Sequence, residues 1–162
     1  MTPEEAKEHQ RHDRETEKAI IVGVEKYGWW VSMFNAEGNA PSFAYTIGLW
    51  KTFKHPEIIC FGLPPMTIGQ ILNNAGNIVK EGEKMPLFVR YNRLFERGDA
   101  MFLPINSEKE IRAYFGYGLW YNKGVFPAIQ LVWGDTANRF PWEEGFESKF
   151  RPFQPLLEAW SQ

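Results

Sequence analysis

The sequence predicts one α+β domain with flanking helices and an N-terminal helix, built on either a mostly antiparallel sheet or a small split-barrel-like β core. Its 162 residues fit a single domain. Its hydrophobic share of 44% is near the average for globular proteins, which argues against disorder. Its apolar runs of strand type follow one another at short distances, and short connections join antiparallel rather than parallel strands.

The charge balance and the cysteine count narrow the expected partners and compartment. The 18 basic and 20 acidic side chains leave a net charge of −2, which gives no general attraction to nucleic acid. No apolar run approaches the roughly 18 residues that a membrane-spanning helix needs, and the charged N-terminus shows no secretory signal. Cys60 is the only cysteine, so an intrachain disulfide is impossible. We therefore expect a cytoplasmic protein that engages neither nucleic acid nor a membrane.

Residues 1–27 are predicted to form a charged helix that precedes a single domain at residues 28–162. Thr2 and Glu5 have the spacing of a capping box at the start of this helix. Gly28 is typical of the residue that follows a helix C-terminus. Apolar residues are confined to the second half of the helix. We therefore expect the second half to pack on the domain and the first half to project.

The domain itself is predicted to contain six strands and three helices. Strands are indicated by short runs of β-branched and aromatic residues bounded by glycine, proline or asparagine. Helices are indicated by apolar residues that repeat on one face, and the stripe that begins at Ile68 is the clearest. The strands are expected at residues 29–34, 42–49, 57–63, 87–96, 100–105 and 126–133, and the helices at residues 66–81, 108–117 and 155–160.

The sequence contains none of the standard signatures of catalysis. It has no nucleotide-binding glycine loop and no G-x-S-x-G nucleophile motif. Cys60 lies in an apolar run, where a thiol is normally part of the core. His9 and His12 share one face of the first helix, but a charged and exposed helix produces such pairs by chance. We therefore expect no metal site.

One segment combines hydroxyl, imidazole and carboxyl groups near a strand end. Tyr45, Thr46 and Gly48 lie in one predicted strand, and His55 and Glu57 stand at the start of the next. Together they could line a pocket. His55 would be its acid–base group because the ordinary pKa of histidine is near neutral pH, with Glu57 and Tyr45 as the other catalytic candidates. The alternative is that these are ordinary strand residues with a glycine that packing requires.

Two further segments carry candidates for ligand binding. Trp120 and Tyr121 lie between glycines, where aromatic side chains on a loop can stack on a planar ligand or anchor a partner. Four more candidates lie in or after the last strand: Gln130, Trp133, Asp135 and Trp142. The irregular segment around Trp142 is predicted to fold back as a lid with that indole buried as a plug. The alternative is that these aromatic residues only cover the core.

Two separated patterns resemble a known bacterial family. The first is Tyr-Thr-Ile-Gly-Leu at residues 45–49, then His-Pro-Glu at 55–57 and Gly-Leu at 62–63. The second is Gln130, Val-Trp at 132–133, Asp135 and Phe-Pro-Trp-Glu at 140–143. In this order they resemble domain of unknown function family 4262 (DUF4262), over about residues 28–158. The resemblance implies a compact bacterial cytoplasmic domain, and it assigns no activity and no catalytic residue.

The order of the elements is also similar to split barrels of the flavin-reductase or pyridoxamine-oxidase type. That likeness implies a flavin or nucleotide cofactor, held by basic and hydroxyl side chains and usually across a dimer interface. The side chains available for it are Thr46, Lys51, Thr52, Lys54, Arg90 and Arg93. The likeness concerns the fold alone, and a fold does not determine a function.

Two functional interpretations follow. The first is a binding or interaction domain that engages a protein partner through its aromatic loops. The alternative is a small-ligand-binding protein or enzyme with a split-barrel-like pocket for a flavin or nucleotide. The sequence decides neither the cofactor nor whether the protein is an enzyme. A homodimer is the simplest assembly to expect, because twofold dimers are the commonest.

Overall fold

The computed structural model describes residues 2–157, which form one open sheet with helices packed on both of its faces. The strands are β1 (Trp30–Phe34), β2 (Phe43–Ile47), β3 (Glu57–Phe61), β4 (Arg90–Tyr91), β5 (Ala100–Pro104) and β6 (Ala128–Trp133). The helices are α1 (Pro3–Tyr27), α2 (Leu49–Phe53), α3 (Pro65–Lys80), α4 (Glu108–Tyr114) and α5 (Gly116–Asn122). A 3₁₀ helix, Ser148–Phe153, follows β6.

The sheet is mostly antiparallel, as the sequence predicts. Its strand order is β1-β2-β3-β6-β5-β4, and every neighbouring pair is antiparallel except β3 with β6. That one pair can be parallel because a long connection containing α3 carries the chain back to the start of β6. β1 and β4 lie at opposite edges and do not pair with each other. The split-barrel-like alternative is therefore wrong, because a barrel requires the sheet to close.

Two apolar cores lie on the two faces of the sheet. α3 packs the stripe that contains Ile68 and Leu72 on one face, against alternate strand residues such as Ile58. α1, α4 and α5 cover the other face, where Ile59 packs in the cluster that contains Ile20. Because both faces are covered, β3 and β6 are buried at every position. This explains why their sequences are continuous rather than alternating apolar runs.

α1 begins and ends where the sequence predicts. Thr2 Oγ1 accepts a hydrogen bond from the Glu5 N–H at 3.1 Å, and the Thr2 N–H donates to the Glu5 carboxylate at 3.2 Å. This reciprocal pair is the predicted capping box. Gly28 ends the helix with a φ of 101°, a conformation that glycine adopts without strain. Within residues 2–157 no helix has both the length and the apolar character needed to cross a bilayer.

Two predicted elements differ in the structure. Residues 87–96 do not form one strand. Arg90–Tyr91 pair with β5 and Leu87 makes an isolated bridge to Phe102, but Phe88 between them has a φ of 65° that a strand cannot accommodate. The predicted helix at residues 155–160 is absent over its described part, because residues 155–157 have no regular structure. Its remaining positions lie outside the described residues.

α2 and α5 are helices that the sequence does not predict, and the expectation that Trp120 and Tyr121 lie on a loop is wrong because both belong to α5. α5 contains two glycines, which disfavour a helix locally. Its first turn is held by a hydrogen bond from the Tyr117 N–H to the Tyr45 hydroxyl at 3.0 Å. Contacts between residues distant in sequence therefore override local propensity here.

Candidate functional site

A groove of about 430 Å³ opens between α1, α5 and the hairpin of β1 and β2. We call it the aromatic groove, because six of its ten lining residues are aromatic. It is lined by Phe34, Phe43, Tyr45, Tyr114, Tyr117 and Trp120, together with Asp13, Glu17, Ala113 and Gly116. Ring faces and carboxylates therefore share one open cavity.

Four of the six rings of the aromatic groove form a stack centred on Phe34. The ring of Phe34 is stacked with those of Phe43, Tyr45 and Tyr117, at centroid distances of 4.7, 5.8 and 6.5 Å. The ring of Tyr114 meets Phe43 edge-on at 5.7 Å. The strand register explains the stack, because Phe34 lies directly opposite Phe43 on one face of the hairpin.

Two carboxylates of α1 stand at the rim of the aromatic groove. Asp13 and Glu17 are four residues apart and so lie on one side of the helix. Asp13 accepts a hydrogen bond from the Tyr117 hydroxyl at 2.8 Å. Burial and then this hydrogen bond raise the pKa of Tyr117. Glu17 makes no hydrogen bond or ion pair within the described residues, so its charge is available to a ligand.

The contact between Asp13 and Tyr117 also changes the expected position of α1. The sequence predicts that only the apolar second half of this helix packs on the domain. The hydrogen bond shows that packing extends back to the middle of α1. Only the turns before Asp13 carry uniformly polar side chains away from the sheet.

Tyr45 supports the aromatic groove from beneath and is not a free acid or base. Its side chain is fully buried, and its hydroxyl accepts the hydrogen bond from the Tyr117 N–H. Burial raises the pKa of Tyr45 to about 12. The phenol therefore keeps its proton at neutral pH, and its role is to hold the start of α5 and with it the rings of Tyr117 and Trp120.

Thr46, Gly48 and Glu57 meet in one buried cluster. Glu57 Oε1 accepts hydrogen bonds from Thr46 Oγ1 at 2.8 Å and the Leu49 N–H at 3.2 Å. Glu57 Oε2 accepts from the Gly48 N–H at 3.0 Å and the Trp50 N–H at 3.1 Å. Burial raises the pKa of Glu57 to about 7, and these hydrogen bonds act in the opposite direction. The carboxyl group caps the first turn of α2, where negative charge is stabilised.

His55 is likewise occupied by the main chain. Its Nε2 accepts a hydrogen bond from the Met85 N–H at 3.1 Å, and its Nδ1 is 2.8 Å from the carbonyl oxygen of Pro56. Since one partner is a donor and the other an acceptor, the ring is neutral with its proton on Nδ1. Burial lowers the pKa of His55. The predicted acid–base group therefore anchors Met85.

Gln130 and Trp133 hold the segment that follows β6. Gln130 Nε2 donates to the carbonyl oxygen of Pro155 at 2.7 Å, and Gln130 Oε1 accepts from the Leu157 N–H at 3.0 Å. Trp133 Nε1 donates to the carbonyl oxygen of Phe61 at 2.6 Å. The Gln130 side chain thus holds the end of the described chain, and the Trp133 indole N–H is bonded to the end of β3.

Asp135 and Trp142 also serve the irregular segment after β6. Asp135 accepts hydrogen bonds from three main-chain N–H groups and from Arg139 Nε. Burial alone would raise its pKa, but these hydrogen bonds lower it to about 2. Trp142 stacks on Phe140 at 5.1 Å and is 36% exposed, so it is not the buried plug that the sequence predicts.

The cysteine and the other histidines do not form a further candidate site for catalysis or metal binding in the described part of the chain. Cys60 is buried, and burial raises its pKa to about 12, so the thiol stays protonated. His9 and His12 are exposed on α1. Residues 2–157 contain no cluster of three or more histidine, cysteine, aspartate or glutamate side chains suited to a metal ion.

The structure brings together only part of the predicted site. Thr46, Gly48 and Glu57 are neighbours, whereas Tyr45 points to the opposite face of the sheet and Trp120 lines the aromatic groove. Tyr121 is separate from both and lies under Lys51 Nζ at 5.2 Å. Most of the aromatic groove is made of residues that the sequence does not single out.

One signal in the sequence could have pointed to it. Asp13 and Glu17 share a helix face immediately before the first buried turn of α1. Nothing local, however, connects this face to Tyr117, because the two partners of that hydrogen bond are 104 residues apart. Phe34 and Phe43 likewise meet only through the register of the hairpin.

Comparison with known proteins gives one match. A family described as a domain of unknown function (DUF4262) matches residues 23–147. This range includes β1 to β6 and most of the aromatic groove, and it begins after Asp13 and Glu17. No curated protein and no solved structure matches the chain.

Proposed function

The chain belongs to the family of domains of unknown function DUF4262, and we propose that it is a binding domain whose site is the aromatic groove. Its ligand is a basic side chain, arginine or lysine, presented by a protein partner. The observation that carries this proposal is the position of two carboxylates at the rim of a stack of aromatic rings.

The chemistry of the groove favours a cation. The face of an aromatic ring attracts a positive charge, and tryptophan does so most strongly. Trp120 is 39% exposed, so its ring is accessible from solvent. Asp13 and Glu17 add two negative charges to the same cavity. An ammonium or guanidinium group between them would gain both an ion pair and cation–π contacts.

A protein partner fits the groove better than a flavin or nucleotide does. The phosphate of such a cofactor would be repelled by Asp13 and Glu17, and the lining of the groove contains no basic side chain. Protein interfaces concentrate their binding energy in tryptophan, tyrosine and arginine. The groove is also open beside α1, so a polypeptide that inserts one side chain can continue along the surface of the domain.

The test uses two short peptides that differ only in charge. An acetylated and amidated Gly-Arg-Gly peptide is titrated into the protein, and the indole N–H of Trp120 and the amide of Tyr117 are followed by NMR. We expect saturable shifts with an affinity of about millimolar order, since one side chain makes the contact. The same peptide with citrulline, which is neutral and of equal shape, should cause no comparable shift.

A matched pair of variants tests which carboxylate of α1 binds the cation. Glu17→Gln should weaken binding of the arginine peptide several-fold, because it removes a carboxylate that has no structural partner. Glu25→Gln changes an exposed carboxylate farther along α1 and should leave binding unchanged. Equal binding of both peptides would refute recognition of a cation. If methylguanidinium alone bound equally tightly, the ligand would be a small cation rather than a side chain of a protein partner.

A further inference from the structure

A second groove, of about 490 Å³, runs along β1 on the face of the sheet that carries α3. We call it the edge groove. It is lined by Tyr27, Trp29, Trp30, Val31 and Met33 on one side and by Met66, Gly69, Gln70, Asn73, Asn77 and Lys80 on the other. Met33 is 46% and Met66 70% exposed. Much of this apolar surface is therefore left uncovered by the described part of the chain.

The two edges of the sheet are protected to different degrees. β4 is only two residues long, and its Arg90 is ion-paired with Asp99 and Glu143. β1 is five residues long, contains no charge and no proline, and pairs with β2 in an unbroken register. Proteins normally use charge, proline or shortness to prevent an edge strand from pairing. An edge without these features is suited to receive another strand.

The outer side of α3 has the repeat of a helix that packs against another helix. Met66, Gln70, Asn73, Asn77 and Lys80 are spaced alternately four and three residues apart, as in the seam of a coiled coil. All five line the edge groove, whereas the apolar stripe of α3 already packs on the sheet. Asn73 Oδ1 already accepts a hydrogen bond from Trp29 Nε1 at 3.0 Å. Its Nδ2 and the amides of Gln70 and Asn77 can donate and accept across a copy of this seam.

Ser32, at the middle of β1, has a buried hydroxyl that is not hydrogen-bonded to any described residue. It is 5% exposed, and its Oγ has no hydrogen-bond partner within residues 2–157. A buried hydroxyl without a partner reduces stability. Serine and threonine hydroxyls that lie opposite each other in an antiparallel pair form hydrogen bonds. Because this oxygen is enclosed by its own chain, another serine across the edge of the sheet would satisfy it only after the Ser32 side chain rotates toward that edge.

We propose that a second copy of this chain docks on the edge groove, with the two β1 strands antiparallel about a twofold axis through Ser32. In this register Ser32 lies opposite the partner's Ser32, and Val31 lies opposite the partner's Met33. Apolar side chains then face apolar side chains. The two six-stranded sheets continue into one another, and an interface that uses the same patch twice closes as a dimer.

The same axis brings the two α3 helices together. Gly69 of α3 lies against Met33, and Gly76 lies against Trp29, so the middle of α3 is close to Ser32. A twofold axis there makes the two seams antiparallel. Their amides meet near the centre, and the two Lys80 side chains lie at opposite ends, where their charges do not oppose each other. The edge groove contains no carboxylate that would select a basic peptide instead.

Sedimentation equilibrium across a wide range of concentration tests this interface. The wild-type protein should be a dimer. Met33→Lys places a charge in the edge groove at an exposed position and should weaken the dimer by at least about tenfold. Val125→Lys makes the same change at a position of similar exposure, 47%, outside the edge groove and should leave the dimer intact.

A second variant tests the register without disrupting the fold. Ser32→Cys places two thiols opposite each other across the axis, and air oxidation should link two chains through a disulfide. The native Cys60 is buried and gives little background. A wild-type protein that stays monomeric at all concentrations would overturn the proposal. So would a dimer that Met33→Lys leaves unchanged and that Ser32→Cys does not cross-link.

Discussion

The hydroxyl of Thr46 links two buried groups. It donates to Glu57 at 2.8 Å and accepts from the Ile58 N–H at 2.9 Å. Thr46→Val preserves the shape but leaves both groups with one partner fewer. We expect a loss of about 2–3 kcal/mol in the free energy of unfolding, measured with urea, because buried polar groups left unpaired are costly.

Thr52→Val is the matched control for this variant. The Thr52 hydroxyl donates to the carbonyl oxygen of Gly28 at 2.8 Å but is exposed to water. Water can replace that hydrogen bond, so the expected loss is only about 0–1 kcal/mol. Equal losses in the two variants would show that burial adds nothing to the hydrogen bonds of Thr46.

His55 predicts a specific dependence of stability on pH. Because burial lowers the pKa of His55 in the folded protein, the unfolded chain binds a proton first as pH falls below about 6.5. The contribution of the neutral ring is fully present above that pH and declines below it. His55→Gln should therefore destabilise the protein most near pH 7.5, and the difference from wild type should shrink toward pH 5.

The measurement is the urea midpoint of variant and wild type at each pH. Glu57 affects stability in the opposite sense, because its pKa, raised to about 7, favours the folded state at low pH. Subtracting the midpoint of the variant from that of the wild type at each pH removes this contribution, which the two proteins share. His12→Gln, at an exposed position of α1, should change the free energy of unfolding at pH 7.5 by less than about 0.5 kcal/mol. A cost of His55→Gln that does not vary with pH would contradict the assigned protonation state.

At the level of elements, the segment after β6 is held by side chains that replace a missing strand. Gln154 Nε2 donates to the carbonyl oxygen of Trp133 at 2.9 Å, and Gln154 Oε1 accepts from the Trp133 N–H at 2.8 Å. Gln154→Glu keeps the acceptor but places a negative oxygen against that carbonyl. We expect a loss of about 2–4 kcal/mol and faster hydrogen exchange of the Trp133 amide.

Gln10→Glu makes the same chemical change at an exposed position of α1 and should alter the free energy of unfolding by less than about 0.5 kcal/mol. If Gln154→Glu were equally mild, the pair of hydrogen bonds would not be what holds this segment. If Gln154→Glu lost much stability while hydrogen exchange of the Trp133 amide stayed unchanged, the loss would come from another part of the protein.

The elements also show which features the sequence can reveal. α1 is predicted correctly because its signals are local: Thr2 and Glu5 form the cap, and Gly28 ends the helix. α2 is not, because the carboxylate that caps it comes from Glu57, on the following strand. The hydrogen-bond partners of the candidate catalytic groups are hidden from the sequence for the same reason. A sequence indicates that Tyr45 carries a hydroxyl but not that the hydroxyl is already bonded to a helix start.

For the molecule as a whole, the fold class follows from composition and apolar runs, whereas the functional surfaces do not. The aromatic groove and the edge groove lie on opposite faces of the sheet and share β1: Phe34 lines the former, and Val31 and Met33 line the latter. Because successive side chains of β1 point to opposite faces of the sheet, this one strand contributes to both proposed surfaces. Of the side chains that line the two surfaces, the sequence singles out Tyr45 and Trp120, both in the aromatic groove.

The parallel pairing of β3 with β6 has a consequence for how the protein is made. β3 is completed early, yet its central neighbour β6 leaves the ribosome only after α3, β4, β5, α4 and α5. During that interval one side of a wholly buried strand has no neighbour, and contacts between such distant segments form slowly. The nascent chain is therefore most vulnerable to aggregation before β6 is synthesised, and the pace of translation through residues 62–127 sets the length of that exposure.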